Sequence, residues 1–445
     1  MKSLVFRIAG VSISMAAAVA CVASGNDDET SAAPRDVPEG GTTVPTEDGG
    51  EAREAGPDGG AILDAGPDGA GSATCSPDGW CLTELPTYSD ELELNDVWPL
   101  AGSAFAIAGT QLGSVRFLEW SDASNRWSAI DDDTLHYVDA VAGSVWAPNA
   151  DEVYFTTSSW SSPGGLVHYG KRPIPPATDW SWKRFSFECN ATETPRVWGT
   201  SKSDVFVMSC AKIHRLAGDA DDAGASPWIE AYVDDDAVYP VTFHGATGTS
   251  RDDAWFVGTR AGGFRGGRCA VVVRKTAAGY EPVVDGNPSR GCGQKAGSEA
   301  IPIAGAFGRA TGDAIHAPAK DRFIGVSFGT VPNNDVVRIA PNGAGGYAVD
   351  VTSPSPELSV ALRSVWGASE DDLWFVVAPP TSTTDSFNAS IVRGTNIWAD
   401  GGGFQYSTLA LNGLPNSKAL QRIRGTSNTN LWAVGANSAF YKKTP

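Results

Sequence analysis

Five histidines, seven cysteines and several clusters of aspartate are the groups in this chain of 445 residues that could do chemistry. Nucleophilic catalysis needs a serine or cysteine presented on a sharp turn beside a base. The stretch GVSFG, Gly325 to Gly329, has the Gly-x-Ser-x-Gly spacing of such an elbow, with Ser327 at its tip. TVPNNDVVRI follows, and Pro332 with two asparagines stands where the helix behind the elbow would have to begin. Ser327 is therefore not read as a nucleophile. No HExxH pair is present, His136, His244 and His316 are isolated, and His168 and His214 recur at one place in successive repeats, which accounts for them without catalysis. The expectation is that the protein is not an enzyme.

Binding chemistry has more candidates. Asp131, Asp132 and Asp133 in DDDT, and Asp219, Asp221 and Asp222 in DADDAG, could gather oxygen ligands around calcium, as could DDDA at Asp234. Solvated loops are the plainer reading, and calcium is the one cofactor left open. Trp160 in SSWSSPGG and Trp180 in TDWSW lie outside any repeat and are candidate surfaces for a sugar or a protein. The cysteines fall as neighbours in sequence: Cys75 with Cys81, Cys189 with Cys210, Cys269 with Cys292, and Cys21 alone. An even set in an exported chain implies disulfides, and neighbour pairing is the hypothesis among the connectivities that six cysteines allow.

The start of the chain explains the export. Lys2 and Arg7 precede IAGVSISMAAAVA, an apolar run fit for a signal peptide and too short to span a bilayer, so residues 1–20 are read as a signal. Cys21 in AVAC resembles the lipobox of bacterial lipoproteins, with Ala18 where leucine is usual; that resemblance implies a diacylglyceryl anchor on Cys21, and Val22 resembles the outer-membrane sorting pattern. Residues 22–74 hold twelve acids, two arginines and almost no large apolar side chain. Such a segment cannot bury enough surface to offset its ordering entropy and reads as a disordered tether. The formal charge of −19 argues against nucleic acid as a partner.

Something must position whatever these groups do, and the rest of the chain, residues 75–445, supplies it by repetition. The stretch RVWGTSKSDVFVMS at 196 returns as SVWGASEDDLWFVV and, more faintly, as RIRGTSNTNLWAVG. With Trp198 as anchor, the equivalent positions are Trp98, Trp146, Thr247, Phe307, Trp366 and Arg424, which makes seven repeats of roughly fifty residues. Seven or eight residues later stand Phe105, Tyr154, Phe206, Trp255, Ile315, Trp374 and Trp432. Two further apolar runs complete each repeat, split by Gly, Asp and Asn turns, which reads as a four-stranded antiparallel sheet.

Only six of the last runs follow their anchors, because the chain stops at Pro445. The seventh is GWCLTELP, Gly79 to Pro86, at the opposite end. A closed ring has a use for that offset: an N-terminal strand completes the last sheet and removes an exposed edge. The expected fold is an all-β, seven-bladed β-propeller. In it Cys189–Cys210 would join neighbouring blades, Cys269–Cys292 would close a hairpin within the fourth, and Cys75–Cys81 would fasten the closing strand.

The phrases VWGTSKSDVFV and VWGASEDDLWFV, with CSPDGWC at the entry to the ring, resemble the tryptophan-rich β-propeller lipoproteins of predatory and social δ-proteobacteria over residues 75–445. The resemblance implies architecture and little chemistry. SEDDLW at 369 also resembles the sialidase Asp-box superficially, but lacks the glycine after its Asp. The expected function is a monomeric envelope lipoprotein that presents a binding or adhesion platform to a protein or glycan at the cell surface. The alternatives are an extracellular propeller hydrolase or lyase, marked by carboxylates converging on the channel, and a structural part of a surface assembly.

Overall fold

A computed structural model describes residues 75–131, 139–161, 164–189, 193–220, 226–236, 238–261, 268–286, 293–301, 306–307, 314–328, 335–354, 361–378, 390–411, 416 and 418–444. The signal segment 1–20, Cys21 and its linker, His136, Asp132, Asp133, Asp221, Asp222 and Cys292 lie outside the described residues.

Valine, phenylalanine and tryptophan alternate with short Gly, Asp and Asn turns, and the elements that result are all strands; no described helix is long and apolar enough to cross a membrane. They form seven antiparallel sheets arranged as the blades of a seven-bladed β-propeller. The first blade runs Leu92–Pro99, Ser103–Thr110, Val115–Ser121 and Arg126–Ala129 from inside to outside. The second has Ala140–Asn149, Glu152–Ser159, Gly165–Lys171 and Ser181–Phe187, and the third Arg196–Ser201, Asp204–Ser209, Lys212–Leu216 and Trp228–Val233. Val241–Ser250, Asp253–Ala261, Arg268–Thr276 and Gly279–Asp285 make the fourth. The sixth has Ala361–Ser369, Asp372–Ala378, Ser390–Thr395 and Gly403–Ser407. Second strands such as DVFVMS are buried on both faces between neighbouring blades, whereas outer strands such as SWKRFSF are partly exposed.

The seventh blade combines both ends of the described chain. Leu420–Ser427, Asn430–Gly435 and Ser438–Lys442 are completed by Trp80–Leu82, which pairs antiparallel with the last strand, Trp80 opposite Lys442. Trp80 is fully buried, meets Trp374 of the sixth blade edge-on at 5.9 Å and donates from its indole nitrogen to Ser407 at 3.0 Å. The Cys75–Cys81 disulfide ties the root of this strand, and Cys189–Cys210 links the end of the second blade to the second strand of the third. Cys269 is also held in a disulfide.

Anchor and follower are cross-strand partners: Trp98 faces Phe105, Trp146 faces Tyr154, Trp198 faces Phe206, Thr247 faces Trp255, Trp366 faces Trp374 and Arg424 faces Trp432. The glycine behind the anchor has a packing reason. A Cβ on Gly199 would come within 2.8 Å of the Trp146 ring, and one on Gly248 within 2.9 Å of Trp198, so each glycine admits the preceding blade's indole. The aspartate of the phrase closes the turn: Asp204 and Asp253 each accept from the threonine four residues earlier at 2.6 Å. Asp253 also pairs with Arg274, which lies 4.8 Å from the Trp255 ring centre, and Asp372 pairs with Arg393, 4.9 Å from Trp374. Most of the phrase is therefore architecture.

The fifth blade corrects the repeat alignment. Its central strands are Phe323–Phe328 and Val336–Pro341, its outer strand is Tyr347–Thr352, and its inner edge is split into Ala306–Phe307 and Ile315–His316, both along Phe323–Phe328. Ile315 was expected in a second strand and instead pairs with Gly325 from the inner edge. The physical reason is Pro318, three residues on, which cannot donate to a ladder and so bars this segment from a central strand. The anchor's place is taken by His316, not Phe307, which puts 69 residues between the fourth and fifth anchors and 50 between the fifth and sixth. Ser327 stands in strand register opposite Phe307.

Candidate functional site

The seven inner strands surround the axis, and position by position they build two layers. The deeper layer stands two residues before the anchor: Asp96, Ser144, Arg196, Ser364 and Arg422, all buried. A β-bulge recurs just before or at this position in the first, second, sixth and seventh blades, the irregularity that re-aims a side chain. What these side chains do is repeated too. Asp96 Oδ2 accepts from the amide of Val145 at 3.0 Å, Ser144 Oγ from Val197 at 2.9 Å, and Ser364 Oγ from Ile423 at 3.1 Å. Each is a latch from one blade to the residue before the next blade's anchor.

Where the ring closes, from the seventh blade to the first, arginine cannot accept that bond and the latch changes chemistry. Arg422 Nε donates to Asp96 Oδ1 at 2.7 Å, and Arg424 Nε lies 3.4 Å from the same oxygen, which also takes the amide of Val97 at 2.8 Å. Burial opposes the charge on Asp96, but the Arg422 and Arg424 guanidiniums and the Val145 amide hold its carboxyl below the usual range. Burial pulls Arg422 down to about 9 and Arg196 to about 10, so both stay protonated at neutral pH.

The upper layer is the anchors themselves. Trp98, Trp198, Thr247, His316, Trp366 and Arg424 line one cavity of about 190 Å³, whose rim includes the exposed Thr426. Indoles in every blade would crowd this space, so the smaller or slimmer side chains of Thr247, His316 and Arg424 are what open it. Arg424 spreads its guanidinium 4.9 Å from the Trp98 ring centre. His316 Nε2 is 2.7 Å from the carbonyl of Gly367, an acceptor, so Nε2 carries the proton and Nδ1 is left to accept. Burial pushes this imidazole down to about 4, so it is neutral. Thr247 Oγ1 accepts from the Ala317 amide at 3.0 Å.

The residues singled out from sequence lie elsewhere. Trp160 is exposed, at 68%, as expected. Trp180 is not a free platform: its ring meets Phe105 edge-on at 5.8 Å, stacks on Trp182 at 6.0 Å and is covered by Arg172, which fixes it against the first blade. The Asp131 side chain is buried, accepting from the Phe117 amide at 3.0 Å and pairing with Arg116. Asp219 is exposed after the third strand of its blade. Asp234 and Asp285 clasp Arg260 between them, and Asp235 pairs with Lys295. Cys189, Glu193 and Cys210 come together within 4.8 Å, but the two sulfurs are spent in their disulfide. His168 and His214 stand opposite Phe155 and Val207, equivalent places in successive blades.

Sequence reasoning passed over the layer beneath the anchors, although its signal was present. NDVW, GSVW, PRVW, RSVW and QRIR carry a polar residue two places before the anchor in five of the seven blades.

No family model and no curated protein matches the chain. Among solved structures, the WD40 domain of SCAP from fission yeast is 9% identical with a TM-score of 0.41, over 82% of this chain and 98% of that one. An uncharacterized protein of Listeria monocytogenes EGD-e is 8% identical with a TM-score of 0.40, over 79% and 91%. The GH93 α-L-arabinofuranosidase of Fusarium graminearum is 10% identical with a TM-score of 0.38, over 67% and 92%.

Proposed function

We propose that this protein is a non-catalytic binding platform, a propeller held at the cell envelope by a lipid on Cys21 and carried on the acidic tether of residues 22–74. The observation that carries the binding reading is the axial cavity walled by Trp98, Trp198 and Trp366 with the Arg424 guanidinium seated on Trp98. Aromatic faces and a charged donor recognise a ligand without transforming it. The groups that could act as acid or base beside them are already engaged. Asp96 accepts from two amides and faces two arginines, and the proton on His316 is held by Gly367. The AVAC sequence behind a charged and then apolar leader supports the anchor, and the composition of the tether supports a ring free to reach a partner protein or glycan.

The test uses the purified full chain. Its melting temperature is read against a glycan panel and soluble envelope fractions, since a ligand that favours the native state raises it. A saturable shift without turnover of chromogenic glycoside or peptide substrates is expected; turnover would replace the platform with the hydrolase alternative. Mass spectrometry of protein from membranes is expected to find acyl chains on Cys21, lost with release from the membrane in Cys21→Ser.

A further inference from the structure

We propose that the axial cavity binds a carboxylate, with Arg424 as the residue that grips it. This rests on the binding reading and names its ligand class. Four of the seven anchors are tryptophan, and Arg424 stands in the same register, opposite Trp432, as those tryptophans stand opposite their partners. Arginine here departs from the tryptophan that four blades carry at this position, and departures from a local rule concentrate at functional positions.

The guanidinium is positioned and not used up. Trp98 supports its face at 4.9 Å, and Asp96 touches only its Nε, at 3.4 Å. The Arg424 guanidinium makes no hydrogen bond to any described residue, although it has five N–H groups to donate in a planar fork that matches a carboxylate. Asp96 cannot turn to satisfy it, because its oxygens are held by the Val97 and Val145 amides and by Arg422. The side chain is 22% exposed and lines the cavity, so its charge is open to a ligand yet shielded from bulk water.

The other polar walls fit the same ligand. The Thr247 hydroxyl accepts from Ala317 and keeps its own proton to donate, while His316 Nδ1 is an acceptor suited to a hydroxyl beside the carboxylate. The volume of about 190 Å³ sets the size. A dry cavity of ~150 Å³ admits benzene, so this one takes a carboxylate on something no larger than about one six-membered ring, free or at the end of a longer chain.

Isothermal titration of the full-length protein with sodium acetate and with D-glucuronate, against acetamide and D-glucose as neutral counterparts, tests this. Acetate and glucuronate are expected to bind and the neutral pair to bind at least about tenfold more weakly, the loss expected for a charge-assisted hydrogen bond. Tighter binding of glucuronate than acetate identifies an acidic sugar as the source; equal binding identifies the bare carboxylate. Arg424→Gln is expected to lose the preference, and Arg424→Trp, which installs the commonest anchor, to lose binding while melting no lower than wild type. Unchanged carboxylate binding in Arg424→Trp overturns the assignment, as does no heat from either carboxylate at tens of millimolar. Equal binding of glucose and glucuronate overturns the carboxylate and leaves the binding platform standing, whereas hydrolytic turnover removes the platform itself.

Discussion

Acidification from pH 7 to pH 5 is predicted to destabilise the ring, and the sign of the effect separates two causes. Burial pushes His168 down to about 3 and His244 and His316 down to about 4, from an ordinary value of 6.5. His168 and His244 each share a 2.8 Å hydrogen bond with a buried threonine, Thr157 and Thr259, and His316 with the Gly367 carbonyl. The unfolded chain therefore binds protons on these side chains from about pH 6.5 downward while the folded chain does not, and stability falls as pH falls through that window. Per histidine, the cost between pH 7 and 5 is about 2 kcal/mol, so about 5 to 6 kcal/mol for three. At ~2.1 cal/mol/K of unfolding entropy per residue over residues 75–445, that is about 7 °C of melting temperature. Relief of charge repulsion acts the other way, since the chain carries −19. It is the smaller effect here, because ordinary carboxylates titrate near pH 4 and exposed charges are screened beyond ~8 Å at physiological salt. Scanning calorimetry at pH 7.0, 6.0 and 5.0 in 0.15 M salt reads it directly. A melting temperature that stays level or rises toward pH 5 refutes the assignment of buried, neutral histidines.

Three further outcomes test how the ring is held. Asp96→Asn removes the charge faced by Arg422 and Arg424 at the closure between blades seven and one, and urea unfolding is expected to show a loss of about 3–5 kcal/mol, the cost of breaking a buried ion pair. Ser364→Ala removes the neutral latch between blades six and seven, and the same measurement is expected to show only about 1–3 kcal/mol. Trp80→Ala strips the closing strand of its buried indole, and calorimetry is expected to record a loss of about 3–5 kcal/mol.

The fold was legible because a propeller writes its architecture into the sequence seven times. Any single copy of SDVFV could be a strand of many folds; its return from blade to blade, with one outer run displaced to Gly79–Pro86, leaves a closed ring as the simplest solution. The fifth copy misled because GDAIH imitates the turn and strand of SDVF, and Pro318, the residue that forbids the strand, follows it closely enough to be overlooked. The site was less legible for a different reason. Isolated tryptophans and aspartate runs attract attention in a sequence, yet Trp180 is covered by Arg172 and Asp131 is buried on a backbone amide. Asp96, His316 and Arg424 look unremarkable until seven registers are overlaid on one axis, since their neighbours in space lie a whole blade away in sequence, as His316 and Gly367 do, or at the opposite end of the ring, as Arg424 and Trp98 do.

That contrast explains where specificity can reside in such a ring. Blades that all carried tryptophan at the anchor would each place an indole on the next blade's glycine and fill the axis, as Trp146 does against Gly199 and Trp198 against Gly248. A full axis is well packed and recognises nothing. Each shorter or polar anchor gives up some of that packing, with a cost that grows with the space left behind, and gains a wall on which a ligand can act. Thr247, His316 and Arg424 share one cavity rather than being scattered over the ring, so the packing is given up in one place and the polar groups are gathered there. The charge this brings to the axis is balanced from below by Asp96, which also closes the ring. On the carboxylate reading proposed above, recognition and closure meet at one carboxylate, and a ligand carboxylate drawn to Arg424 competes with Asp96 for the same guanidinium. Binding is then expected to loosen the Arg424–Asp96 contact and leave Asp96 more completely to Arg422, so the ring's closure and its ligand are coupled through a single side chain.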